Sequence, residues 1–283
     1  MPYSPKKPVR GAVVTPAPWY AGLVPYRLRR RTKFVVVSHP RSGSNFLRHA
    51  LNAHPDVFEF GEPFHANPLV SVHPRRILGK DQLPEEDVGC LVDALAREKR
   101  IVAAGFSLFS RAHGHLLDHD AAARLASRPD FCVVFLIRRN LLKAYVSHRR
   151  ALRTGYYHVD PTGRPIEYKH TRPVPDAKHQ PIGAIDIAEA KEWIEDTRAF
   201  LASAESAVRT SGKDFHKVYY EDLCLEGQAR SLCEVNRVLG FLGLRALEAF
   251  EPRVGRTADE DFYQSIPNRK EVARMLGFDL DWK

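Results

Sequence analysis

Residues 35–47 read V-V-V-S-H-P-R-S-G-S-N-F-L. Val35, Val36 and Val37, with Phe34 before them, form the β-branched run of a strand buried on both faces. Pro40 and Gly43 lie in the stretch His39 to Ser44, so the strand ends in a turn. Phe46, Leu47, Ala50 and Leu51 then recur at helical spacing. The helix stops at His54-Pro55, because a residue before proline avoids the helical region. The unit is strand, tight turn, helix. The first N–H groups of such a helix point outward and attract an anion. Gly43 permits close approach, Ser42, Ser44 and Asn45 add donors, and Arg41 adds a fixed positive charge. The same residues also suit an ordinary cap, with Ser44 or Asn45 closing a core helix. An ATPase-type phosphate loop is excluded: G-x-x-x-x-G-K-[ST] needs a first glycine and a Gly-Lys pair that this segment lacks.

The pattern repeats along the chain. Val57 to Phe60, Ile101 to Phe106, Phe131 to Ile137 and His216 to Tyr220 read as four further strands. Helical patterns cover about Glu85–Glu98, Ala121–Ala126, Asn140–Arg153, Gly227–Phe241 and Lys270–Leu276. A long helix runs from an Asp186 cap to Val208, with Trp193, Ile194, Phe200 and Leu201 inward. Strands alternating with helices predict an α/β fold: a single domain, residues 34–283, with a central parallel sheet of about five strands flanked by helices. Ligands of such sheets bind at the carboxyl ends of the strands. Two segments fall outside the pattern. Residues 1–33 carry six prolines from Pro2 to Pro25 and a basic run from Arg27 to Lys33, and read as an extended solvated arm or a tail for an anionic surface. Residues 155–183 hold five prolines with Arg164, Lys169, Arg172 and Lys178, and read as a mobile loop or an acceptor-facing lid.

The 283 residues carry 43 Lys plus Arg against 34 Asp plus Glu, so 43 − 34 gives +9, and an anionic partner is expected. A hydrophobic share of 44% with 27% charge excludes a disordered or fibrous chain. The longest strongly apolar run, Phe131 to Ile137, is far short of the roughly 20 residues of a spanning helix. The four cysteines form no C-x-x-C pair, and the amino terminus lacks the apolar stretch of a secretory signal, so a reducing cytoplasm is expected. No His/Cys cluster among the 13 histidines has zinc-ligand spacing, so no metal is expected.

A second motif is F-C-V-V-F-L-I-R-R-N-L-L-K-A-Y-V-S-H, residues 131–148. Here too a buried strand ends in charge, at Arg138 and Arg139, and a helix begins at Asn140. Asn140, Lys143 and Ser147 sit at i, i+3 and i+7 and share a polar face. Such a face suits a second anion, or a plain solvent-facing helix start.

Together the two motifs resemble the sulfotransferases that use 3′-phosphoadenosine 5′-phosphosulfate (PAPS), with R-S-G-S at the first loop and Arg139 and Ser147 eight residues apart beside Asn140. The likeness continues in L-N-A-H-P-D-V-F-E-F-G-E-P-F (51–64), V-Y-Y-E-D-L (218–223), F-L-G-L (241–244) and S-I-P-N-R-K-E-V (265–272). R-S-G-S and G-E-P-F point to the bacterial and carbohydrate-type branch.

The resemblance implies sulfuryl transfer from PAPS, releasing adenosine 3′,5′-bisphosphate, to an acceptor hydroxyl of a carbohydrate or glycolipid, without metal or nucleic acid. It implies Arg41 at the transferring group, with Ser42, Gly43, Ser44, Asn45 and Phe46 around the 5′-phosphate. Arg139 and Ser147, with Lys143, would hold the 3′-phosphate, Tyr220 would lie by the adenine, and Arg256 would sit on a closing basic loop. Glu62 in G-E-P-F is the candidate base, with a pKa raised by a desolvated cleft, and His65 is the second candidate. His113 and His115, in R-A-H-G-H, are weaker candidates, since each alone reads as a surface or loop histidine. Many relatives have G-F-K after the third strand, where this chain has Gly105-Phe106-Ser107. Two other readings stand beside this one. One is a sulfotransferase of small secondary metabolites, acting on a hydroxyl or amine. The other is a non-enzymatic basic protein that binds nucleotides or polyanions on the same fold.

Overall fold

The chain is described by a computed structural model covering residues 31–67, 70–109, 115–162, 164, 166, 183–255 and 263–278. Most of the proline-rich arm, the centre of the expected lid (167–182), His113 and Arg256 lie outside the described residues. Five strands, β1 Thr32–Ser38, β2 Val57–Glu59, β3 Ala103–Leu108, β4 Phe131–Ile137 and β5 Phe215–Tyr219, form one sheet in the order β2-β3-β1-β4-β5. Every pairing is parallel, as the alternation predicts. The helices are α1 Ser44–Leu51, α2 Val72–Leu78, α3 Val88–Lys99, α4 His119–Ser127, α5 Leu141–Thr154, α6 Ile187–Thr210, α7 Tyr220–Cys224, α8 Gln228–Phe241 and α9 Arg269–Leu276.

Strand β1 shows why both faces need helices. Val35 and Val37 enter one core with Leu91, Leu95 and Phe106, which α3, α4 and α6 close. Phe34 and Val36 enter the other with Leu47, Leu51 and Val238, beneath α1 and α8. All four β1 side chains are at most 2% exposed, so the run has no solvent face. Asp186 caps α6 as its sequence predicts, accepting from the N–H groups of Ala188 (2.9 Å) and Glu189 (3.1 Å).

Beyond shifts of about one to three residues at element ends, the sequence reading differs from the fold in two places. Helix α2 escapes it because Pro74 sits in S-V-H-P-R-R-I-L. A proline in the first turn costs no ladder hydrogen bond, so the helix forms around it. Tyr220 does not end β5 but opens α7, since β5 stops at Tyr219.

Gly105 stands opposite Phe34 in the β1–β3 register, and a Cβ there would lie 2.4 Å from the Phe34 ring. Both residues are inside a close-packed sheet, so neither can move aside cheaply. Gly105→Ala is expected to lower stability by about 1–3 kcal/mol. A denaturant midpoint unchanged from wild type would show that the ring yields.

The sheet order has one functional consequence. The chain leaves β1 towards β2 and β3 on one side and returns to β4 on the other. The crevice of such a sheet opens at the carboxyl ends of β1 and β4, where both sequence motifs end.

Candidate active site

The loop after β1 is tied to the end of β4 by small side chains. Ser38 Oγ donates to the Leu136 carbonyl (3.1 Å) and shares a 2.5 Å contact with Ser42 Oγ. The Ser42 hydroxyl donates to the His39 carbonyl (2.7 Å). His39 is fully buried, and burial pushes its pKa down to about 3, against the help of its hydrogen bonds. The ring is therefore neutral. Nδ1 donates to the Pro40 carbonyl (3.0 Å) and Nε2 accepts from the Arg138 N–H (3.0 Å). One imidazole thus latches the first motif to the second.

Two residues of this loop have left-handed backbone, Arg41 (φ 64°) and Gly43 (φ 90°). At Gly43 only glycine fits, because a Cβ would come within 3.0 Å of the Tyr220 ring and 3.2 Å of Cys224 Sγ. For Arg41 the conformation costs of order 1–3 kcal/mol. With it the side chain spans the crevice: Nε donates to Ser147 Oγ (3.0 Å) and Nη1 to the Tyr157 carbonyl (2.5 Å). Burial and the neighbouring Arg138 charge push the Arg41 pKa down to about 10, which still leaves it cationic at neutral pH. Gly43 caps α1 without a side-chain hydrogen bond, so the positive end of that helix faces the crevice.

Two cavities meet at this loop. One, of about 300 Å³, is lined by Phe46, Arg138, Ser147, Tyr220 and Tyr263 among others. The second, of about 240 Å³, is lined by Glu62, His65, Asn67, Phe109 and His148 among others. Arg41, Ser44, Asn45, Tyr157 and His158 line both. Asn45 Nδ2 lies 2.8 Å from His158 Nε2, which ties the start of the expected lid to α1.

Two carboxylates lie at the end of β2 and just beyond it, and their surroundings push their pKa values in opposite directions. Glu59 is 1% exposed, and its pKa is raised to about 7 by burial, against Arg48 and hydrogen bonds from Ser107 and Gly61. Its Oε1 accepts from Ser107 Oγ (3.0 Å) and Gly61 N–H (3.3 Å). Ser107, the departure from the expected G-F-K, thus serves this carboxylate. Glu62 goes the other way. Burial raises its pKa, but the hydrogen bond and charge of His115, with His65 and Arg48, outweigh burial and hold it below the ordinary carboxylate value. The raised pKa expected for Glu62 is therefore corrected: its partners stabilise the ionised form more than burial penalises it.

In a comparison with known families, the model of the sulfotransferase family matches residues 34–248. The chain is a sulfotransferase-family protein. Comparison with curated proteins yields no match.

In this sulfotransferase the predicted site residues divide. Arg41, Gly43, Ser44, Asn45, Phe46, Ser147 and Tyr220 line the larger cavity, and Glu62 and His65 line the smaller. Ser42 lines neither: its hydroxyl is spent inside the loop. Lys143 lines neither: its side chain is buried with Nζ 5.0 Å from the centre of the Tyr263 ring. Arg139 turns outward, with Nη2 donating to Asp222 (2.9 Å) and its guanidinium over the Tyr219 ring. The arginine brought into the cavity is Arg138. It is 6% exposed, lies over the Tyr220 ring, and donates to the Arg41 carbonyl (3.2 Å) and Tyr263 Oη (3.1 Å). Asn140 does not face solvent either: its Oδ1 caps α5 at the Lys143 N–H (3.0 Å).

Sequence reasoning missed His39, Arg138, Tyr157, His158 and Tyr263. The one signal available was Arg138 itself, adjacent to the arginine singled out. No helix among the described residues is long and apolar enough to cross a membrane, and no group of three or more His, Cys, Asp or Glu there is placed to hold a metal ion.

Proposed function

We propose that this sulfotransferase moves the sulfuryl group of PAPS to an acceptor hydroxyl, with the nucleotide in the 300 Å³ cavity and the acceptor in the 240 Å³ one. The observation that carries this reading is that the two cavities join at Arg41, the residue matching the family's basic group at the transferring centre.

The residues present fit the nucleotide. The side-chain-uncapped start of α1, the absent Cβ of Gly43 and the Arg41 guanidinium suit one anionic end. Ser147 and a second arginine suit the other, and Tyr220 and Phe46 offer aromatic surface for a base. When bound, PAPS supplies a sulfuryl group already activated on a phosphate. Arg41 then stabilises the negative charge that grows on the bridging oxygen as the bond to sulfur breaks. Glu62, ionised at neutral pH, accepts the proton of the attacking hydroxyl. His65 lines the same space, with Nδ1 held by the Asn67 N–H (2.9 Å), so it orients the acceptor. A carbohydrate or glycolipid hydroxyl is the proposed acceptor. Support comes from the polar lining: Glu62, His65, Asn67 and His158 offer partners for several hydroxyls at once.

Calorimetry with adenosine 3′,5′-bisphosphate tests the nucleotide assignment. Binding is expected, with adenosine 5′-monophosphate at least about tenfold weaker because it lacks one charged end. No heat of binding from folded protein would remove PAPS from the reading and favour another anion for the larger cavity.

A further inference from the structure

We propose that His115 is the positioning residue for Glu62: its Nε2 holds one carboxylate oxygen so that the other meets the acceptor proton. The proposal rests on the reading of Glu62 as the base.

The contact is built from two separate stretches of chain. Glu62 follows β2 and His115 lies beyond β3, yet the Leu116 N–H donates to the Phe64 carbonyl (2.9 Å) and His65 and His115 form an antiparallel bridge. These backbone bonds fix one loop on the other. The His115 side chain is completely buried, edge-on to the rings of Phe109 (5.1 Å between centroids) and His65 (5.6 Å). From there Nε2 reaches Glu62 Oε2 at 3.2 Å.

Packing alone does not explain an imidazole in this place. His115 Nδ1 has no hydrogen-bond partner among the described residues, so the bond to Glu62 is what satisfies the ring there. An ionised carboxylate can only accept, so the Nε2 that faces Glu62 carries a proton. A phenyl ring would fill the same aromatic niche without the bond. The geometry therefore fixes the Nε2 proton and the carboxylate oxygen that it engages.

Other charges also face Glu62. His65 and Arg48 help to hold it ionised, Glu59 lies nearby at the end of β2, and Arg41, His148 and His158 line the same cavity. His115 engages the carboxylate itself, through Nε2 at 3.2 Å. Removing it should raise the Glu62 pKa, so that the carboxylate is lost at a higher pH than in wild type.

Three variants decide the matter: His115→Phe keeps the aromatic volume, His115→Gln keeps an amide donor, and Glu62→Gln removes the carboxylate. The direct measurement is ¹³C NMR titration of protein labelled at the glutamate carboxyl, with the Glu62 resonance assigned by its loss in Glu62→Gln. In His115→Phe the Glu62 titration should move to higher pH, and His115→Gln should bring it back towards wild type. Transfer of sulfuryl from PAPS to water supplies a turnover readout that needs no known acceptor. His115→Phe should lose about tenfold at the acid end of the profile and recover towards alkaline pH. A folded His115→Phe protein whose Glu62 titration and pH profile both superpose on wild type would overturn the proposal. Normal turnover of Glu62→Gln would instead remove Glu62 as the base, while the titration would still report whether His115 holds it.

Discussion

Glu62→Gln is expected to lower turnover by about 10²- to 10⁴-fold while leaving affinity for adenosine 3′,5′-bisphosphate within about twofold of wild type. The split follows from position. Glu62 lines the smaller cavity and is not among the residues around the larger one, so the nucleotide loses no contact. The amide keeps the volume and can still meet His115, so the loop should hold. What disappears is the oxygen able to take a proton. The low pKa of Glu62 has a cost and a benefit in this role. A weaker base has less drive to accept a proton, but it is fully ionised at neutral pH and waits in the required form. Wild-type activity should therefore stay level through neutral pH and fall only as acid protonates Glu62. Measuring turnover and nucleotide affinity on one preparation checks both halves. Normal turnover would remove Glu62 as the base, and lost affinity would show that the two cavities are not energetically separate.

Glu59 shows why the sequence alone could not assign the carboxylates. E-F-G-E places Glu59 and Glu62 three residues apart, and both precede or follow the same turn. One ends buried against Ser107 with a pKa near 7, the other beside two histidines with a lowered one. His115, some fifty residues away, makes the largest contribution to lowering Glu62, and no local pattern encodes that meeting. By contrast, the fold was legible wherever one stretch carries its own reason. The short β-branched run Phe34 to Val37 suits a strand buried on both faces, and Asp186 can cap only the helix that follows it. The loop residues were legible for the same reason: Gly43 and Arg41 act within the unit that presents them. Ser42 was not. Its hydroxyl and that of Ser44 look equivalent in R-S-G-S, but the backbone turn points Ser42 into the loop's own carbonyl. Tyr157 gave no signal at all, because Arg41 binds its backbone carbonyl, which any residue supplies.

The two adjacent arginines after β4 carry the sharpest expected contrast. Arg138→Ala should weaken adenosine 3′,5′-bisphosphate binding by about 10- to 200-fold, the loss of charged hydrogen bonds worth about 1.5–3 kcal/mol. Arg139→Ala should change it by less than about threefold. Spacing favours Arg139, which stands eight residues before Ser147. Orientation favours Arg138, and orientation is set from outside the motif. Glu221 of α7 accepts the backbone N–H groups of Arg139 (3.0 Å) and Asn140 (3.3 Å), while His39 accepts that of Arg138 (3.0 Å). These bonds fix the turn so that the first arginine faces the cavity, and the second lies along Tyr219 and Asp222. Arg139 and Asp222 then form a half-exposed pair, worth about 0–1 kcal/mol to stability and nothing to the cavity. Arg138→Ala also strips partners from Tyr263 and the Arg41 carbonyl, so a thermal melt must accompany the titration. Arg138→Lys supplies a second variant that keeps the charge but loses the planar fork. Comparing adenosine 3′,5′-bisphosphate with adenosine 5′-monophosphate isolates the 3′-phosphate: Arg138→Ala should flatten the preference between them, and Arg139→Ala should keep it. The reverse pattern would mean that the turn after β4 rotates when nucleotide binds, exchanging the two guanidinium groups.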